Sequence, residues 1–98
     1  VFVKDTFDKI NIYGAGDIAE NIILKNMLKF DKKNIEIYDG DPNKIGKLIG
    51  GIEIKNPEEI KKNNNKIYIS AAQSYDDIYS NLLNMNIQNN RIVSGLFL

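Results

Sequence analysis

A strand-like alternation that runs straight into a helical one through two glycines leaves a chain few ways to fold. Residues 9–13, "KINIY", put Ile10 and Ile12 on one face of an extended segment, and Gly14-Ala15-Gly16 ends it. From Asp17 to Phe30 the spacing becomes helical. Ala19, Ile23, Met27 and Phe30 fall within about 80° of one another on a helical wheel, a face suited to lie on a sheet, with Lys25 and Lys29 opposite. A strand delivered directly to a helix N-terminus presents backbone N–H groups where the helix dipole favours an anion, and phosphate is the natural guest.

The rest of the chain repeats the alternation. "DKKN" at 31–34 reads as a turn, "IEIYD" at 35–39 as a second strand, and "GDPNKIGKLIGG" as a loop in which Pro42 and four glycines forbid a regular helix. "IEI" at 52–54 is a short strand whose direction is open. Asn56, Pro57, Glu58 and Glu59 then read as an N-cap, a first-turn proline and two acids at the positive end of a brief helix stopped by Asn63-Asn64-Asn65. The "KKNNNK" run itself reads as a solvated turn. "KIYISAA" at 66–72 is a strand with Ile67 and Ile69 on one side and Tyr68 on the other. Ser74 follows as a helix cap with Asp77 in a weak capping box, and Tyr75, Ile78, Tyr79, Leu82 and Leu83 carry the helical stripe. "RIVSG" at 91–95 is the last strand. Strands alternating with helices predict an α/β domain, a mostly parallel sheet of about five strands with helices on both faces.

Composition excludes many chemistries. Thirteen basic residues balance thirteen acidic ones, which leaves no electrostatic footprint for nucleic acid. With 43% hydrophobic residues and no apolar run near the roughly 18 a membrane span needs, no membrane association is expected. The chain has neither Cys nor His, so a thiolate nucleophile, the usual general base and the commonest metal ligand are all missing, and no metal or catalytic residue is assigned. No signal peptide is visible in "VFVKDTFDK", which reads as cytoplasmic. The 98 residues suffice for one domain; the missing Met and the closing "GLFL" suggest one excised from a longer protein, the alternative being a small protein whose tail packs on its own core.

The seam Gly14-Ala15-Gly16-Asp17-Ile18-Ala19 matches G-x-G-x-x-A, a variant of the dinucleotide-binding fingerprint. Gly14 would permit the tight turn, Gly16 would let the backbone approach a phosphate, and Ala19 would keep the helix close to the strand. Asp39 ends the second strand twenty positions after Ala19, where a carboxylate reads ribose hydroxyls. A plain glycine turn with Asp39 as a loop residue is the competing interpretation. Asp17 sits awkwardly for a phosphate: it should point away if a diphosphate binds, and if it points inward the ligand is held by its sugar or base.

"IYGAGDIAENIIL", "IEIYDGDPNKIGKLIGGIEI" and "IYISAA" together resemble the Rossmann-like nucleotide-binding domain of bacterial surface-polysaccharide proteins, the sugar-nucleotide dehydratases and epimerases and the sugar acyltransferases. The resemblance covers residues 9–95. It implies a doubly wound fold with a nucleotide site, for NAD or a nucleotide-sugar, made by Gly14, Ala15, Gly16, Asp17, Ile18 and Ala19, by Asp39, Gly40 and Asp41, and by Ser70, Ala71 and Ala72. It also implies a further domain that carries the chemistry, expected outside these residues.

Ser70, Ala71 and Ala72 either leave room for a ligand at the strand end or simply pack under a helix. Gln73, Ser74 and Tyr75 could reach a ligand from the same rim, Lys44 and Lys47 could meet a phosphate, and Tyr13 reads as a half-buried strand aromatic rather than a proton donor. Ile18 and Ile22 lie off the sheet-facing stripe and suggest a surface covered by another domain or a second copy, so a homo-oligomer stays open. Three functions compete: a nucleotide-binding module, preferring NAD(H) over NADP(H) because Asp39 would repel a 2′-phosphate; a structural or oligomerisation domain with a vestigial pocket; and a small self-contained NAD-dependent sugar-nucleotide enzyme.

Overall fold

The central strand sets the architecture. A computed structural model of the chain describes residues 9–25, 31–71 and 73–93. Its elements are β1 (Ile10–Tyr13), α1 (Asp17–Leu24), β2 (Ile35–Tyr38), β3 (Leu48–Ile49), β4 (Ile52–Lys55), β5 (Lys66–Ile69) and α2 (Tyr75–Asn84), with 3₁₀ turns at Lys32–Asn34, Pro57–Lys62 and Asn89–Arg91. The five strands form one mixed sheet in the order β3-β4-β2-β1-β5. β1 pairs in parallel with β2, Ile12 opposite Ile37, and with β5, Tyr13 opposite Ile69. β4 continues the parallel set beside β2, and β3 closes that edge antiparallel to β4. The fold is therefore α/β.

Every residue of β1 is buried, as a strand covered on both faces must be. On one face Ile10, Ile12, Ile35, Ile37 and Ile54 pack with Ala19 and Ile23 of α1. On the other, Tyr13, Tyr38, Ile67 and Ile69 pack with Ile60 and with Leu82 of α2. Tyr68 joins the first cluster, which places it opposite Ile67 and Ile69 as its alternation predicts. Met27 and Phe30 of the predicted helical stripe, and the side chain of Ile22, lie outside the described residues, as does Ala72.

Several expectations need correcting. The loop predicted for 40–51 contains β3, and Gly50 and Gly51, both with positive φ (56° and 86°), make the two-residue turn that joins it to β4. The brief helix after Asn56 is 3₁₀ rather than α, though its cap forms as expected: Glu58 N–H donates to Asn56 Oδ1 at 3.0 Å. Ser74 precedes α2 without a side-chain hydrogen bond, so the capping box does not form. Of the predicted strand 91–95, Arg91 belongs to a 3₁₀ turn and Ile92 makes a single parallel bridge to Ile67, while residues 94 and 95 lie outside the described set.

The asparagine run is not merely solvated. Asn11, fully buried on β1, donates through Nδ2 to Asn63 Oδ1 at 3.0 Å and accepts from Asn65 Nδ2 at 3.2 Å. Asn63 Oδ1 also accepts from Arg91 Nη2 at 3.3 Å, and Asn63 Nδ2 donates to the Tyr38 hydroxyl at 3.3 Å. That hydroxyl donates in turn to Glu36 Oε1 at 2.7 Å, where Lys55 Nζ arrives at 3.1 Å. The reason is physical: a polar side chain inside a buried strand requires partners, and among the described residues the segment after the 3₁₀ helix supplies them. Removing the central acceptor with Asn63→Ala should cost about 2 kcal/mol in urea denaturation, whereas Asn64→Ala, an exposed neighbour, should stay within about 0.5 kcal/mol of wild type.

Partial desolvation works against the Glu36 carboxylate, yet hydrogen bonds from Tyr38 and Lys55 hold its pKa below the usual carboxylate value. A depressed pKa in the folded state means stability that is present above the unfolded-state value and lost as pH falls through the folded one. Thermal melts from pH 6 down to pH 3 should therefore show wild type losing more stability than Glu36→Gln, with the gap between them closing at the acid end.

Candidate functional site

Three chain segments leave the sheet at the carboxyl ends of β1, β2 and β5 and meet around one cleft of about 630 Å³. Each departs from a hydrogen-bonded position. Gly14 N–H donates to Tyr38 O at 2.7 Å, Asp39 N–H to Lys55 O at 3.2 Å, and Ser70 N–H to Tyr13 O at 2.9 Å, so all three loops are anchored in the sheet ladder.

The first segment is the glycine loop. Gly14 has φ +113°, a conformation L side chains rarely adopt, and a Cβ there would lie 2.9 Å from Ser70 Oγ and 3.3 Å from the Ala71 Cβ. Gly16 differs: it precedes α1 with φ −99°, and a Cβ built on it meets nothing within 4 Å. The fold thus requires the first glycine, while the second leaves open space at the start of a helix whose N-cap position has no side chain to cap it.

The second segment is Asp39-Gly40-Asp41. Asp39 Oδ2 accepts the Ala15 N–H at 2.8 Å and Oδ1 accepts the Asp41 N–H at 2.8 Å, so one carboxylate ties the glycine loop to its own loop. Each oxygen still has acceptor capacity for a further donor. Asp41 Oδ1 accepts the Asn43 N–H at 2.9 Å and shapes the turn that carries Lys44 to the cleft. In the third segment Ser70 Oγ donates to Gly14 O at 2.6 Å, fastening β5 to the glycine loop.

Of the residues singled out from the sequence, Gly14, Ala15, Gly16, Asp17 and Ile18 line the cleft, with Asp39, Gly40, Asp41, Ser70 and Ala71 across from them. Ala19 does not; it is fully buried against the sheet, the close-packing role its position in the fingerprint predicts. Lys44, Gln73 and Ser74 are on the rim, Lys47 is exposed away from it, and Tyr75 instead stacks on Tyr79 with centroids 6.1 Å apart. Ile78 and Asn81 complete the wall from α2, a contribution the sequence motifs do not indicate. Their signal was present, since Ser74, Ile78 and Asn81 stand at i, i+4 and i+7 on one helix face.

The cleft is electronegative, with Asp17, Asp39 and Asp41 against Lys44. Tyr13 is more enclosed than its sequence context predicts, only 6% exposed, and burial together with the charge of Asp39 raises its pKa, so the hydroxyl keeps its proton. Among the described residues no cluster of three or more His, Cys, Asp or Glu side chains is placed to hold a metal ion, and no helix is long and apolar enough to cross a membrane.

The chain belongs to the C2185-like, N-terminal family, whose model matches residues 6–93. No curated protein matches it.

The two glycines should respond oppositely to substitution. Gly14→Ala meets both an unfavourable φ and Ser70, and should destabilise the fold by about 2 kcal/mol or more. Gly16→Ala should be neutral within about 0.5 kcal/mol in the same denaturation series.

Proposed function

We propose that this chain is a nucleotide-binding module with a Rossmann-like, doubly wound sheet, holding NAD(H) or a nucleotide-sugar for a glycan-biosynthesis enzyme whose chemistry lies outside these residues. The observation that carries the reading is the junction of the glycine loop with Asp39, through the Ala15 N–H, at the carboxyl ends of the parallel strands. β1 neighbours β2 on one side and β5 on the other, so the cleft lies where the chain turns outward in both directions, the place where open parallel sheets take their ligands. The order β4-β2-β1-β5 and the packing of α1 and α2 in separate cores are consistent with the doubly wound arrangement. The glycan assignment rests on the sequence resemblance, and the N-terminal description of the family suits a module followed by another domain.

A specific observation refines the binding mode. Asp17 stands at the cleft, and with Asp39 and Asp41 its charge opposes a diphosphate pressed onto the glycine loop. The ligand is then gripped through its sugar and base, with its phosphates towards Lys44 and solvent. A 2′-phosphate would add charge beside Asp39, so NADP(H) binds less well than NAD(H).

A thermal-shift panel of NAD, NADP, UDP-glucose and coenzyme A tests the reading. At a hundred times Kd a bound ligand adds about 2.7 kcal/mol, a shift on the order of 10 °C for a domain this size. Gly16→Val should melt like the unliganded wild type yet lose that shift, because the added side chain fills space that only a ligand would use. A panel without response would return the domain to the structural or oligomerisation reading.

A further inference from the structure

One polar group at the cleft has no part in building it. The Tyr13 ring belongs to the core formed with Tyr38, Ile67 and Ile69, and its pairing across from Tyr38 and Ile69 fixes where the ring stands. The hydroxyl end reaches the cleft wall beside Gly40, where a Cβ added to that glycine would lie 3.8 Å from the oxygen. The ring is buried, but the hydroxyl oxygen opens to the cleft, and among the described residues it makes no hydrogen bond. The contrast with its neighbour is direct: the Tyr38 hydroxyl donates to Glu36 and accepts from Asn63. The hydroxyl is thus free to meet a group in the cleft, and a phenylalanine would fill the same core volume without it.

We propose that the Tyr13 hydroxyl and the Asp39 carboxylate together clasp one hydroxyl of a sugar ring, making Tyr13 a specificity-determining residue of the cleft. The inference rests on the nucleotide-binding reading above and deepens it. The two groups differ in what they can exchange. Tyr13 holds its proton beside the charge of Asp39 and so can donate, whereas Asp39 only accepts and already holds the Ala15 and Asp41 N–H groups in place. A ligand group that satisfies both must accept from one and donate to the other. An alcohol does this. A phosphate oxygen only accepts and is repelled by Asp39, and an ammonium only donates. Gly40, without a side chain, keeps the approach between the two open. Because Asp39 is fixed by two backbone amides and Tyr13 by the core, neither has to be ordered by the ligand, which favours discrimination.

The test is a calorimetric titration of wild type and Tyr13→Phe with AMP and UMP and with their 2′-deoxy and 3′-deoxy forms, alongside urea denaturation of both proteins. Wild type should bind a ribonucleotide at least tenfold more tightly than the deoxy form that lacks the clasped hydroxyl. Tyr13→Phe should weaken ribonucleotide binding about tenfold, bring the two forms together, and leave the denaturation midpoint at or above that of wild type. Ribonucleotide affinity unchanged in Tyr13→Phe, or wild type indifferent to both deoxy forms, overturns the clasp while leaving nucleotide binding intact. A lowered midpoint in Tyr13→Phe shows the hydroxyl serving the fold and overturns it as well. Wild type that binds none of the six nucleotides removes both the clasp and the reading on which it rests.

Discussion

The burial of β1 on both faces is the constraint from which the rest follows. A strand of four residues with helices or turns on either side needs two separate cores, and its alternating side chains feed one each: Ile10 and Ile12 to the α1 side, Asn11 and Tyr13 to the α2 side. The amide at Asn11 makes the second face more demanding than the first. Hydrophobic contact is indifferent to small shifts, but the hydrogen bonds from Asn11 through Asn63 and Asn65 to Arg91 fix how the connection from β4 crosses the sheet on its way to β5. That polar chain sits towards the amino end of the strand. The carboxyl end is thereby left to the cleft.

At that end the backbone does most of the construction. Gly14 turns under Ser70, Ser70 donates to the Gly14 carbonyl, and Asp39 gathers the Ala15 and Asp41 amides, so three loops from three strands are held by small residues and one carboxylate. The side chains left over, the Tyr13 hydroxyl and the Lys44 ammonium among them, stand on a wall that does not depend on them for its shape. The groups that shape this cleft are distinct from those left free on its wall, which is why substitutions at Gly14 and Gly16 are expected to report on different properties.

Much of this was legible in the sequence where a local signal coincided with the tertiary demand. The β1–glycine–α1 seam was, because period-two alternation, a turn residue that needs positive φ and a helix start all coincide between Ile10 and Ala19. The Asn56–Pro57 cap is legible in the sequence, yet six residues with i, i+3 ion pairs such as Glu58–Lys61 suit an α or a 3₁₀ turn equally, so the helix type is not. The hairpin of β3 and β4 announced itself as two glycines between apolar residues, a signal hidden by the other glycines and Pro42 nearby. The partners of Asn11 lie more than fifty residues away, a distance no local pattern spans. The contribution of α2 to the cleft was masked because Ile78 also fits the apolar stripe that packs on the sheet.

The β3 hairpin has a consequence for how the molecule behaves among its own kind. A parallel sheet ending on a long open strand offers a row of unsatisfied amides and carbonyls to any passing chain, the template on which fibrils grow. Here the chain folds back at Gly50 and Gly51 and presents only Leu48 and Ile49 on that border, with the exposed Lys47 beside them. Two residues are too few to register a foreign strand, and an adjacent ammonium group is costly to bury against one. Although Leu48 is 65% exposed, the turn leaves that border of the sheet little edge on which a foreign strand could pair.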